Sequence, residues 1–111
     1  MSLHNLFSEV ESEEDIMVLA KLILEIKRNR CIGDDEMEPE LFLYCSIIGY
    51  IYYEAPSYEL NMSTVYCVLE DVNIKDRKKS GFDHLIRLLA EDQPGHYAVR
   101  MYLYWILETE Y

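Results

Sequence analysis

The sequence predicts an all-α fold, a compact bundle of about five helices around a buried central helix at roughly residues 38–55. Three observations predict it. Apolar residues recur at helical spacing through Leu41–Pro56, at Leu41, Tyr44, Cys45, Ile48, Ile51, Tyr52 and Ala55, and the opposite side carries Phe42, Leu43, Ile47 and Tyr50. A helix that is hydrophobic nearly all round is a buried one. Glycine (4) and proline (3) are too scarce for a turn-rich β sandwich or a disordered chain, while half of the 111 residues are hydrophobic. Helix-capping residues and turn signals then divide the rest of the chain into helix-length pieces.

Met1 to Glu11 is a mixed lead-in, with Leu3, Leu6 and Phe7 expected to tuck against the bundle. Ser12 reads as an N-cap with Asp15 three residues on. Glu13 and Glu14 fill the first turn, where the helix dipole favours negative charge. The first helix is predicted from Glu13 to about Asn29, with an inner stripe of Ile16, Leu19, Ala20, Ile23 and Ile26 or Lys27. Lys27, Arg28 and Arg30 at its C-terminal end complement the dipole.

Cys31 to Glu40 reads as a loop holding Gly33 and the acidic group Asp34, Asp35, Glu36, Glu38 and Glu40, and Pro39 suits the first turn of the central helix. Glu54-Ala55-Pro56 ends that helix, because the residue before proline is pushed out of the α region. Asn61, with Ser63 and Thr64 as alternatives, caps a helix predicted over Met62–Val72 whose inner face is Met62, Val65, Tyr66, Leu69 and Val72. A polar loop, Asn73 to Lys79, follows. Ser80 caps a helix from Gly81 to about Glu91 with Phe82, Leu85, Ile86 and Leu89 facing in. Asp92-Gln93-Pro94-Gly95 is a turn. A last helix is predicted from about His96 to Leu107, with a stripe of Val99, Tyr102, Leu103 and Ile106 widened by Met101, Tyr104 and Trp105.

The net charge of −11 opposes direct binding to a nucleic-acid backbone and favours basic protein partners. Cys31, Cys45 and Cys67 are too few and too scattered for a disulfide framework, which fits a reducing, cytoplasmic setting. The uncharged run Leu41–Tyr53 falls short of the roughly 20 apolar residues that a membrane helix needs, and the N-terminus lacks the pattern of a signal peptide. No direct membrane contact is expected of this domain.

Motifs for chemistry are absent. His4, His84 and His96 have no metal-ligand spacing to one another or to the cysteines. The acidic loop lacks the alternating pattern of a calcium site, and neither a phosphate-binding loop nor a nucleophile elbow occurs. The chain is therefore expected to be no enzyme, with no metal and no cofactor. The one local basic run is Lys75, Arg77, Lys78 and Lys79. It is the candidate DNA-binding loop, disfavoured by the overall charge. The candidate partner-binding surface is Asp34, Asp35, Glu36, Glu38 and Glu40, with Asp71 and Asp76 as secondary candidates.

Three segments, in chain order, carry a resemblance. They are Ser12-Glu13-Glu14-Asp15-Ile16 with Leu19-Ala20 and Leu22-Ile23; Ile47-Ile48-Gly49-Tyr50-Ile51-Tyr52-Tyr53-Glu54-Ala55-Pro56; and Asn61-Met62-Ser63-Thr64-Val65 with Leu69. A weaker fourth is Asp92-Gln93-Pro94-Gly95-His96 with Ala98, Arg100 and Tyr102. Together they resemble the all-α domain of the TraG-like coupling proteins of type IV secretion, in the form found in conjugative elements of Gram-positive bacteria. In that family a Y-E-A-P helix end followed by an N-x-S-T-V helix start is characteristic.

The resemblance implies an excised or diverged domain, spanning 1–111, of a hexameric, membrane-anchored ATPase whose Walker motifs lie outside it. It implies recruitment of a relaxase, accessory protein or relaxase–DNA complex for conjugative transfer, by a piece that is monomeric in isolation. The family-motif residues Tyr53, Glu54, Ala55, Pro56, Asn61, Ser63 and Thr64 are expected to be structural. The alternative is a stand-alone acidic inhibitor or DNA mimic from a mobile element, which requires carboxylates spaced along one elongated face.

Overall fold

The computed structural model describes residues 7, 10–33, 38–74 and 80–109. It is an all-α bundle. Among the described residues there are five α-helices and no strand: α1 (Glu13–Arg28), α2 (Pro39–Glu54), α3 (Met62–Ile74), α4 (Gly81–Asp92) and α5 (Tyr97–Thr109). A single 3-10 turn, Ser57–Glu59, links α2 to α3.

The helix starts follow from their capping chemistry. Ser12 Oγ accepts from Asp15 N–H at 3.3 Å, and Asp15 Oδ2 reaches back to Glu11 N–H at 2.9 Å. Asn61 Oδ1 accepts from Thr64 N–H at 3.0 Å while its Nδ2 donates to Tyr58 O at 3.1 Å. Ser80 Oγ accepts from Asp83 N–H at 3.0 Å. Each satisfies an amide that the helix itself leaves orphaned. α1 closes on Asn29, whose φ of 55° is the left-handed conformation that asparagine tolerates, with Asn29 and Arg30 donating back to Ile26 O and Glu25 O. α2 begins on Pro39 with no side-chain cap.

α2 is the central helix. It packs most extensively on α5, then on α1, and also meets α3. Leu43 through Gly49 is buried without interruption, as is Ile51. The all-round apolar pattern therefore reports contact on several sides. The core joins Ile16, Ala20 and Leu24 of α1, Ile47 and Ile48 of α2, Val65 of α3, Phe82 and Ile86 of α4, and Ala98, Tyr102 and Trp105 of α5. Phe7 and Val10 tuck in ahead of α1; Leu3 and Leu6, given the same role, lie outside the described residues.

Five residues expected to face inward do not. Ile26, Tyr66, Leu85, Leu103 and Tyr104 are all exposed. In α5 the buried face runs through Ala98, Met101, Tyr102 and Trp105, with Tyr97 and Val99 beside it, so the stripe is turned by one residue from the predicted one. Nearly every residue of α5 between Tyr97 and Leu107 is apolar, so spacing fixes the period but not which side meets α2. Leu24 takes the inner position in α1 that Ile26 or Lys27 was expected to hold.

Candidate functional site

Three of the segments singled out in the sequence, around Glu13, Glu54 and His96, meet at a junction of the end of α2 with the starts of α1 and α5. His96 immediately precedes α5. Its Nδ1 accepts from Ala98 N–H at 3.1 Å, so the imidazole acts as the N-terminal cap of α5. Its Nε2 lies 3.0 Å from Glu54 Oε2. With Nδ1 accepting, the proton sits on Nε2 and is donated to the Glu54 carboxylate. The tautomer is thus set by the two partners together. The ring of Tyr53 stands edge-on to the imidazole at 5.5 Å between centroids, and Tyr52 stands edge-on to Tyr53 at 4.9 Å.

One turn further along α5, Arg100 Nη2 pairs with Glu13 Oε2 at 3.2 Å, and its Nε donates to Gly95 O at 3.1 Å. Its guanidinium lies 5.7 Å from the centroid of Tyr97. The first turn of α1 is thereby fastened to the first turn of α5. Beneath this surface layer, Ser46 Oγ donates to Ala98 O at 2.7 Å in the buried interior. Gly49 lets the Tyr97 ring lie against α2: a Cβ there would stand 2.7 Å from Tyr97 Cδ1.

The remaining motif residues are also structural in placement. The Ala55 N–H closes α2 on Ile51 O, and Pro56 O accepts from Glu59 N–H at 2.9 Å to open the 3-10 turn. Thr64 gives both its N–H and its hydroxyl to Asn61, whereas Ser63 is exposed.

The candidate acidic surface divides. Asp34, Asp35 and Glu36 lie outside the described residues. Glu38 bridges Arg28 at 3.4 Å and Arg30 at 3.0 Å; Glu40 bridges Arg28 at 3.5 Å and Lys27 at 3.7 Å. The basic end of α1 and the acidic approach to α2 therefore neutralise one another locally, a pairing beyond the dipole complement expected from the sequence. Asp71, a secondary candidate for that surface, has an architectural contact. Its Oδ2 accepts from Gly81 N–H at 2.9 Å and from Phe82 N–H at 3.4 Å, tying α3 to the start of α4. Asp76 and the candidate DNA-binding residues Lys75, Arg77, Lys78 and Lys79 lie outside the described residues.

Sequence reading missed the buried carboxylate of Asp83, which follows the Ser80 cap by three residues. It accepts from the Tyr102 hydroxyl at 2.7 Å and from Arg87 Nε at 2.6 Å, joining α4 to α5. The i, i+4 spacing to Arg87 was a readable signal; the Tyr102 contact had none. The Glu54–His96 and Glu13–Arg100 pairs span 42 and 87 residues of chain and were likewise invisible to local pattern.

No group of three or more histidine, cysteine or acidic side chains among the described residues is arranged to hold a metal ion. Burial pushes the Cys45 thiol up to about 11, which disfavours the reactive thiolate. Among the described residues no helix is long and apolar enough to cross a membrane. The geometry defines a helical module whose motif residues fasten helix ends. Comparison with family models, with curated proteins and with solved structures finds no match to this chain.

Proposed function

We infer that this chain is a protein-recognition module, and more finely the substrate-recognition domain of a TraG-like coupling protein, recruiting a relaxase, an accessory protein or a relaxase–DNA complex for conjugative transfer. The observation that carries the reading is the junction itself. Glu13, Glu54, His96 and Arg100 come from three of the four sequence segments that resemble the family, and they meet as a Glu54–His96 hydrogen bond beside a Glu13–Arg100 ion pair. Their meeting supports one folded unit in which the resembling segments hold the helix ends.

The net charge of −11 supports a basic, DNA-handling protein as partner rather than DNA, because long-range attraction accelerates encounter with a positive surface. Glu38 and Glu40 are already paired, so within the acidic loop Asp34, Asp35 and Glu36 are the residues assigned to partner contact. In this reading the module belongs to the cytoplasmic part of a membrane-anchored ring ATPase, and the ATP chemistry lies elsewhere in that parent.

The test is a binding titration of this chain against the relaxase of the same genetic element and, separately, against DNA, at low and high salt. Relaxase binding that weakens with salt, with no DNA binding, is expected. Neutralising the loop by Asp34→Asn, Asp35→Asn and Glu36→Gln should reduce both the affinity and its salt dependence. Binding to DNA alone would overturn the reading and move the site to Lys75–Lys79. A reading frame that carries no Walker motifs on either side would favour the stand-alone acidic inhibitor instead.

A further inference from the structure

Away from the motif junction, a cavity of about 450 Å³ opens between α1, α2 and α3. Its walls are apolar: Ile23 and Ile26 from α1, Tyr66 and Leu69 from α3, and the ring of Tyr44 from α2. The volume is in the range of small-molecule sites, which are mostly apolar with a few placed polar groups. Two of the residues expected to pack inward, Ile26 and Tyr66, instead stand 57% and 46% exposed at this cavity, so apolar surface is left open to solvent there.

The placed polar group is the Tyr44 hydroxyl. Tyr44 is 2% exposed, and its buried hydroxyl has no hydrogen-bond partner among the described residues. Burying a hydroxyl unpaired is unfavourable, and such groups in folded proteins are rare enough to require a reason. Lys27 extends over the same ring, with Nζ 5.8 Å from its centroid, close enough for its charge to act on the phenol. Its ammonium pairs with Glu40 at 3.7 Å and lies near enough to the hydroxyl to oppose the rise in the phenol's pKa, without the geometry of a hydrogen bond to it. A phenol is protonated at neutral pH, and burial, which outweighs that charge and raises its pKa further, leaves it a donor there. Both neighbouring groups, the Tyr44 O–H and the Lys27 ammonium, offer hydrogens and call for an acceptor.

We propose that this cavity is a binding site for a small, uncharged, largely apolar molecule carrying one acceptor oxygen, which takes the hydrogen bond of the Tyr44 hydroxyl. The charge follows from the rim. Lys27 and Glu70 both line the cavity and oppose each other, and Glu40 sits on the Lys27 ammonium. A carboxylate would meet Glu70 and Glu40, and an amine would meet Lys27; a carbonyl oxygen meets neither penalty. The ligand reaches the hydroxyl by displacing the half-exposed Lys27 side chain, whose exposed pair with Glu40 is weak. This site goes beyond the recognition role above and does not depend on it.

The test uses NMR titration of the whole chain with three probes of matched size: acetophenone, ethylbenzene and benzoate. Acetophenone should give saturable shifts centred on Ile23, Tyr44 and Leu69 and bind at least threefold tighter than ethylbenzene, with benzoate weakest. Tyr44→Phe removes only a hydroxyl that lacks a partner, so the fold should persist. It should abolish the preference for acetophenone while ethylbenzene binding stays. Ile26→Trp, at an exposed rim position, should weaken both probes at least threefold. No saturable shift with acetophenone, a preference that survives Tyr44→Phe, or benzoate binding as tightly as acetophenone would each overturn the proposal.

Discussion

Gly49 is required by contact rather than by backbone conformation. It sits within α2, and a methyl group there would stand 2.7 Å from Tyr97 Cδ1, well inside van der Waals contact. Tyr97 is buried and cannot swing away at no cost. Gly49→Ala gains helix propensity, about 1 kcal/mol at most, but overpacking of a tight core costs about 1–3 kcal/mol. The expected net effect is destabilisation, seen as a lower midpoint in urea unfolding. At the same scale the three cysteines separate. Cys31 and Cys67 are exposed and Cys45 is buried, donating to Met17 Sδ at 3.5 Å. A thiol-reactive chromophore at pH 8 should modify Cys31 and Cys67 in the folded protein and reach Cys45 only on unfolding. Labelling of Cys45 at the rate of the other two would contradict the packing.

The helices were largely legible because their starts are encoded locally. Ser12, Asn61 and Ser80 each accept the amide three residues on, and that spacing is visible in the sequence. What was not legible is the phase of helices that are apolar on more than one side. α5 turned by one residue from its predicted stripe because the Tyr97 ring seats against Gly49 and Ala98 O takes the Ser46 hydroxyl, both tertiary contacts. Asp71 shows the same division. Its sequence suggested a surface acid, yet from α3 it completes the amino end of α4. Asp71→Ala should cost about 1 kcal/mol, the usual scale for losing a cap, and should raise amide exchange first at Gly81 and Phe82. Asp83→Ala should cost more, about 3 kcal/mol, since it removes a buried acceptor for both Tyr102 and Arg87. Chemical denaturation checks both.

Over the whole molecule, burial of thiol and phenol groups sets the response to alkali. Burial raises Cys45 from 9.0 to about 11, and raises Tyr44, Tyr50 and Tyr97 as well. The unfolded chain therefore releases these protons at lower pH than the folded one. The Cys45 stabilisation, about 2–3 kcal/mol at most, is fully present below pH 9.0 and is lost as pH rises through about 11, and the tyrosines, ordinary at 10.0, extend the fall to higher pH. Urea midpoints should fall steeply from pH 9 to 11, and Cys45→Ala should flatten part of that fall.

The site was only half legible at this scale. The motif strings pointed to helix ends, and these residues do sit at helix ends. The long-range pairing of Glu54 with His96, and of Glu13 with Arg100, depends on how α1, α2 and α5 assemble, which no local spacing encodes. Through these pairs the motif residues fasten α2 and α1 to the start of α5, with the largely buried Glu54–His96 contact expected to contribute more than the exposed Glu13–Arg100 pair. A double-mutant cycle on Glu54→Ala and His96→Ala, read by urea unfolding, tests that fastening most directly. The fastening predicts a favourable coupling of about 1 kcal/mol, as for residues in contact. Additive effects within about 0.3 kcal/mol, the behaviour of independent sites, would contradict it.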